Sequence, residues 1–411
     1  MWAYYFFAAL LTLQAIISLR GGARYLAYVQ REMARKTSNF RPWASVIVPC
    51  RGVDQGLGEN LAALFEQNYP AYEIIFVTER RDDEALAIFE SVRRVPRPNR
   101  HVETRVVIAG EAINRGQKVH NLLAAVKDVD FKSRVLVFVD SDARPRRSWL
   151  RSLVDPLADQ GIGATTGYRW FLPTERGFAS TLRSVWNASI ASALGPNGDR
   201  NFCWGGSMAI RRSTFESAKI TDEWQRAASD DFAMMRALRR AGVPIHFAPD
   251  CLTASHDNCT FRELVEFTTR QLKITRVYAP DFWLIVLISN LLFVSVFLGG
   301  IALIIARATL GLSIALPLGL VAAIYVLGIL KAYLRLRAVR IPLWQYRQEL
   351  RRDAMAHLLI WPLASMLYLF NAIAALFSRR FNWRGIDYEL ISPYETVIIE
   401  RNSGIRTQDS E

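Results

Sequence analysis

Arg134-Val-Leu-Val-Phe-Val-Asp140-Ser-Asp142 is the stretch that decides the fold. Its run Val135–Val139 is wholly apolar and β-branched in the main, and two acids follow at once. A short run of this kind predicts a strand buried on both faces, the kind found in parallel sheets covered by helices. In such sheets ligands bind beyond the carboxyl ends of the strands. Asp140 and Asp142 therefore fall on the edge where chemistry is expected.

Toward the N-terminus the same grammar repeats. Ala44-Ser-Val-Ile-Val-Pro-Cys50, Tyr72–Thr78 and Val102–Ala109 read as strands. Leu57–Gln67, Asp82–Arg94 and Val119–Lys127 read as the helices between them, with Leu61, Leu64 and Phe65 on one helical face. Strands alternating with helices predict an α/β domain with a largely parallel sheet. Toward the C-terminus the pattern loosens into short strands near Ala164–Gly167, Ser207–Ile210 and Val243–Phe247. One helix there is unambiguous: Ser229 caps it, Asp230 and Asp231 open it, Arg239 and Arg240 close it, and Gly242 follows.

Outside this domain the composition changes. Met1–Leu19, Phe282–Ala306, Ala308–Leu330 and Ala354–Ser378 lack Asp, Glu, Lys and Arg, and each is long enough to cross a bilayer as a helix. The first is not a signal peptide, because its positive charges (Arg20, Arg24, Arg31, Arg35, Lys36) follow the apolar run instead of preceding it. The positive-inside rule then puts the polar region in the cytosol. The expected organisation is an anchor at 1–20, a cytosolic domain at 40–280, and membrane segments at 282–378 with a basic cytosolic loop at 331–353. A tail follows at 379–411, disordered from about Asn402. For the last apolar segment a re-entrant hairpin is preferred to a crossing. Pro362 interrupts it, Arg379-Arg380 resist translocation, and Trp383-Arg-Gly-Ile-Asp-Tyr388 is suited to dock on the cytosolic domain. This describes a multi-pass protein, with a bacterial inner membrane as the expected location.

The net charge of +13 is read as membrane orientation, not nucleic-acid binding. Much of the excess lies beside apolar segments, in Lys331, Arg335, Arg337, Arg340, Arg347, Arg351 and Arg352. The four cysteines, Cys50, Cys203, Cys251 and Cys259, have no metal-ligand spacing and read as packed thiols.

Three acid clusters sit at element ends: Glu79 with Asp82 and Asp83, Asp140 with Asp142, and Asp230 with Asp231. A D-x-D after a strand suits a divalent cation, since Mg²⁺ and Mn²⁺ favour carboxylate oxygens and Mg²⁺ often takes only one or two of them plus phosphates. A solvated turn is the alternative. Asp230-Asp231 fit ordinary helix capping as well as catalysis. Lys118, opening a helix after Gly116, is either a phosphate ligand or an exposed lysine. Arg270 and Lys273, three residues apart in a helical stretch, are either a juxtamembrane basic face or partners of a diphosphate.

In their order, these clusters resemble the family 2-type glycosyltransferases, most closely the ceramide glucosyltransferase branch. Arg51-Gly-Val-Asp54, Asn60-Leu and Asn68-Tyr-Pro-Ala-Tyr-Glu73 resemble its opening signature, and Gly167-Tyr-Arg-Trp-Phe-Leu-Pro-Thr-Glu-Arg-Gly-Phe178 a later one. Asp82-Asp83, Asp140-Ser-Asp142 and Asp231 before Phe232 match its three essential aspartate positions. One segment departs from the pattern. Arg270-Gln-Leu-Lys273-Ile274 has lysine and isoleucine where the family has arginine and tryptophan, so the charge is kept but bidentate phosphate contact is lost.

The resemblance implies a GT-A fold, a Rossmann-like nucleotide-sugar domain between membrane helices. It implies inverting transfer of a sugar, glucose in the first instance, from a UDP-sugar to a lipid hydroxyl such as that of ceramide. On this reading Asp142 holds the divalent cation and Asp231 is the base. Glu79, Asp83, Lys118, Asp140, Arg270 and Lys273 serve the donor, and Trp204, Gly205 and Gly206 the acceptor. The rivals are a processive polysaccharide synthase and a non-catalytic membrane scaffold.

Overall fold

The computed structural model describes residues 2–97, 101–175 and 177–401. The tail expected to be disordered from Asn402 lies outside them. The chain forms two compact units. One comprises residues 32–174, 193–257 and 379–411, and the other 1–31, 175–192 and 258–378.

The first unit is built on a seven-stranded mixed sheet. Its strands are β1 (Ala44–Pro49), β2 (Ala71–Thr78), β3 (His101–Ile108), β4 (Val135–Phe138), β5 (Ala164–Phe171), β6 (Met208–Arg211) and β7 (Ile245–Ser255). Their order across the sheet is β3-β2-β1-β4-β6-β5-β7. The first four run parallel, while β6 lies antiparallel between β4 and β5. β1, β4 and β6 are buried along their whole length, which is why they read as unbroken apolar runs. The direction of winding reverses between β1 and β4. Residues 50–54 after β1 and 139–142 after β4 thus leave the sheet side by side, the place where α/β sheets open a crevice.

Strand β7 is longer than the predicted Val243–Phe247. It continues through Pro249 and Asp250 with a register shift against β5 between Thr166 and Tyr168. Arg380 to Arg401 are also more than a tail. β8 (Arg380–Trp383), β9 (Ile386–Ser392) and β10 (Glu395–Arg401) form a separate antiparallel sheet in this same unit.

The second unit is helical. Trp2–Met33, Pro280–Thr309 and Ala315–Val339 are each long and apolar enough to cross a membrane. Ala8, Leu11, Phe293, Val296 and Ile324 from the three helices pack into one cluster. The fourth apolar stretch is not one helix. It breaks at Ile360 into Ala354–Leu359 and Trp361–Phe377, with Pro362 in the first turn of the second piece, where its missing N–H costs nothing. That second piece stacks Tyr368 on Trp186 at 4.6 Å, and the Tyr368 hydroxyl donates to the Trp186 carbonyl at 2.9 Å.

Candidate active site

Lys118 organises the site. The helix Gln117–Lys127 begins just after Gly116, whose N–H donates to the Ala227 carbonyl at 2.9 Å. A Cβ on Gly116 would lie 2.6 Å from the Ala228 carbonyl oxygen, so only glycine lets the two loops approach this closely. That approach brings Lys118 beside the start of the helix Asp230–Arg240. Its Nζ lies 2.7 Å from Asp140 Oδ1 and 3.2 Å from Asp230 Oδ1. Burial works against its charge, yet Asp140, Asp230 and Asp231 together push the ammonium above its ordinary value. Burial also opposes ionisation of Asp140, but Lys118 and Arg169 hold that carboxyl below its ordinary range. Asp230 lies farther from the lysine. Burial pushes it up to about 7, with Lys118 pulling down and Asp231 and Asp140 pushing up.

Asp142 has a different neighbour. Arg169, from β5, places Nη1 3.3 Å from Asp142 Oδ2 and Nη2 3.7 Å from Asp140 Oδ2. Its guanidinium lies 4.9 Å from the centre of the Trp204 ring, a cation–π contact that holds it in place. Burial pushes Asp142 up to about 6 against the pull of Arg169, with Asp140 and Asp54 adding to the rise. Asp142 Oδ1 is buried and accepts no hydrogen bond. A buried anionic oxygen without a partner is costly, and such an orphan suits contact with a cation. Among the described residues no three metal-ligating side chains converge. An ion held by one or two carboxylates and by substrate phosphates needs no third. The D-x-D therefore fits a divalent cation.

Asp231 is half-buried, whereas Asp230 is buried. Its Oδ1 accepts from the Ser229 hydroxyl and from the Phe232 N–H at 2.8 Å. Among the described residues Oδ2 accepts from the Gly205 N–H, at 3.5 Å. The two contacts at the helix start thus fall on one oxygen of this carboxylate. Gly205 passes directly over the lysine cluster: a Cβ there would collide with Asp230 Oδ2 and lie 2.7 Å from Lys118 Nζ. Trp204 is fixed by its N–H, which donates to Thr166 Oγ1 at 3.0 Å, and Gly206 packs on the Trp204 ring.

At the far end of the crevice Glu79 is buried between two arginines. Arg51 Nε lies 3.1 Å from its Oε2 and Arg401 Nη1 2.7 Å from its Oε1. Asp83 caps the helix Glu84–Arg93 by accepting from Ala85 N at 3.0 Å, and both its oxygens accept from Gly52 N at 3.1 Å. Asp82 is exposed and pairs with Arg80. Glu79, Asp83, Lys118, Asp140, Asp142, Asp231 and Trp204–Gly206 all belong to the sheet unit. Arg270 and Lys273 lie on the helix Phe261–Tyr278 of the helical unit.

Four residues with a place here are given no role by the sequence, although Asp54, Arg169 and Arg384 lie in stretches quoted above. Arg169 is the single charge in an otherwise uncharged strand. Asp54 accepts from the Ser141 hydroxyl at 2.6 Å, inside the D-x-D turn. Arg384 and Arg401 come from the C-terminal sheet.

The model of the family described as glycosyl transferase family 21 matches residues 8–394. Ceramide glucosyltransferase 1 of Caenorhabditis elegans is 31% identical over 206 residues, 49% of this chain and 43% of that protein. Ceramide glucosyltransferase 3 of the same organism is 28% identical over 93 residues, 22% of this chain and 19% of that protein. The chain thus aligns with less than half the length of either relative. A mannosyltransferase from Pyrobaculum calidifontis, solved with GDP-Man and Mn²⁺, is 17% identical with a TM-score of 0.48, covering 91% of this chain and 99% of its own. With its GT-A-like mixed sheet flanked by long apolar helices, the chain belongs to glycosyl transferase family 21.

Proposed function

We propose that this glycosyltransferase moves glucose, with inversion, from a UDP-sugar to the hydroxyl of a membrane lipid of the ceramide type. One observation carries the reading. At one end of one sheet, Asp142 offers a buried oxygen without a partner while Asp231 offers an oxygen that only a long N–H contact restrains. The first suits the charge of a nucleoside diphosphate and its cation, and the second suits a proton acceptor.

The acceptor oxygen attacks the anomeric carbon from the face opposite the diphosphate. The bond from that carbon to the diphosphate oxygen breaks, and the hydroxyl proton passes to Asp231 Oδ2. Ser229 and Phe232 N–H hold Oδ1 and so fix the direction in which Oδ2 faces. Asp142, with Asp140 beside it, would hold a divalent cation, which neutralises charge on a departing diphosphate. Lys118 keeps Asp140 ionised and oriented toward the ribose or sugar. Glu79 and Asp83 shape the nucleoside end, and Trp204, Gly205 and Gly206 form the acceptor floor. Arg270 and Lys273 remain assigned to the diphosphate on the strength of the family pattern.

The membrane topology follows from parity. The C-terminal sheet is hydrogen-bonded to the same unit as the D-x-D, through Arg384 to Arg51 and Tyr388 to Gln117. Both therefore lie on one side of the membrane, and residues between them cross an even number of times. With Pro280–Thr309 and Ala315–Val339 as two crossings, this parity supports a re-entrant Trp361–Phe377 over a crossing one. The positive-inside rule makes the shared side cytosolic.

The test is transfer by the purified full chain from a panel of labelled nucleotide sugars to ceramide, with lipid extraction and determination of anomeric configuration. Inverted glucosyl-ceramide made from UDP-glucose is the expected product. Labelled polymer in the aqueous phase would establish a processive synthase instead, and no transfer from any donor would establish a scaffold.

A further inference from the structure

The hairpin between β8 and β9 is an unusual place for an arginine. Its two-residue turn, Arg384-Gly385, has φ of 49° and 72°. Hairpin turns of this handedness favour Asn, Asp or Gly at both positions, and a side chain with a Cβ at the first is strained there. Strained residues persist where their surroundings over-determine them, and they cluster at ligand sites. The surroundings here are specific. Arg384 Nη1 donates to the Arg51 carbonyl at 2.5 Å and Nη2 to Asp54 Oδ1 at 2.5 Å. Asp54 in turn holds Ser141, the residue between Asp140 and Asp142. The C-terminal sheet is anchored at two further points, one on β9 and one on β10. The Gln117 N–H donates to the Tyr388 hydroxyl at 3.1 Å, and Arg401 pairs with Glu79 and reaches the Ala112 carbonyl. The sheet thus clasps the crevice from the end of β2 to the end of β4.

Two of five guanidinium N–H groups are used by Arg51 and Asp54, and 37% of the Arg384 side chain stays exposed. The geometry points to Arg384 as a donor-positioning residue: its free guanidinium edge, fixed by Arg51 and Asp54, receives the diphosphate of the nucleotide over the D-x-D turn. This rests on the reading of that turn as a nucleotide-sugar site. It adds a cation from a part of the chain separated from the rest of the site by the membrane helices. Lys118 is committed to Asp140 and Asp230, and Arg169 to Asp142, so neither supplies this charge. Arginine suits the role because its planar fork meets two oxygens at once, whereas lysine offers a point charge.

The experiment uses the full chain in detergent with Mn²⁺ and compares binding of uridine diphosphate and uridine by titration calorimetry. Arg384→Asn removes the charge yet tolerates the left-handed turn, and Arg384→Lys restores a charge without the fork. Arg384→Asn is expected to weaken uridine diphosphate binding about tenfold, the loss of one charge-assisted hydrogen bond, while uridine binding holds. Arg384→Lys is expected to recover part of the loss. Equal weakening of both ligands would show a structural prop and overturn the assignment, as would unchanged affinity for the diphosphate. A wild-type chain that binds neither ligand would instead overturn the donor-site reading itself, and this inference with it.

Discussion

The two acid pairs of the site, Asp140 with Asp142 and Asp230 with Asp231, look alike in sequence and are divided alike in space. In each pair one member is held by the Lys118 ammonium, and the other is not. Asp140 and Asp230 serve the lysine. Among the described residues Asp142 Oδ1 accepts no hydrogen bond, a trait Asp230 Oδ2 shares, and Asp231 Oδ2 accepts from the Gly205 N–H at 3.5 Å. On the proposed mechanism a single cation between two pairs separates scaffold carboxylates from working ones, although nothing in D-x-D or D-D distinguishes the members. The two working acids differ in their second neighbour. Asp142 answers to Arg169, a charge, whereas Asp231 answers to Ser229 and backbone N–H groups.

The largest effect that would test this division is at Asp142. Asp142→Ala is expected to abolish transfer while the protein still inserts and folds, and excess EDTA should reproduce the loss in the wild type. Full activity under chelation would remove the cation from the scheme. Next comes Asp231→Asn, nearly isosteric and still able to accept at the helix cap. Positioned acid–base groups are worth about 10²–10⁴-fold, so transfer should fall by that range with affinity for uridine diphosphate little changed. If Asp230→Asn lost as much turnover and Asp231→Asn kept it, the two members would have to exchange roles.

Lys118→Met sharpens the comparison through stability. It leaves the buried carboxylate of Asp230 without its cation and the half-buried Asp140 with Arg169 alone, and breaking a buried pair this way costs about 3–5 kcal/mol. A clear drop in melting temperature is expected, relieved when Asp230→Asn is added, because the double variant buries one charge fewer. No relief would mean the lysine does not bridge the pairs. The smallest effect belongs to Asp82→Asn. Asp82 is exposed and paired only with Arg80, so transfer should stay within twofold of wild type, in contrast to Asp83 at the helix cap. A large loss would reverse that order.

Much of the sheet was legible because its central strands are buried on both faces and spell this out as apolar runs. The acids after them were legible for the same reason, since the end of such a strand is the binding edge. The connections among them were not. Spacing alone left Lys118 between phosphate ligand and exposed lysine, and its pairing with Asp140 and Asp230 depends on the Gly116–Ala228 approach, a contact between residues far apart in the chain. Trp383–Tyr388 carried a docking signal, but the strands around it alternate charged and apolar residues over only four to seven positions, which reads as a tail. Pro362 signalled the interruption of the last apolar stretch, and the break falls at Ile360.

The clasp by the C-terminal sheet has a consequence for the time at which the enzyme comes to life. Arg384 closes on Arg51 across 333 residues of chain, and Arg401 on Glu79 across 322. At about 5–20 residues per second, a ribosome takes roughly twenty seconds to a minute to deliver the second partner after the first. Both long helices that follow the sheet domain are made within that interval. The nascent domain can build β1 to β7 early, yet its crevice stays open at one end until the membrane helices have been synthesised. A chain stalled before residue 379 would hold every acid of the site and lack its clasp.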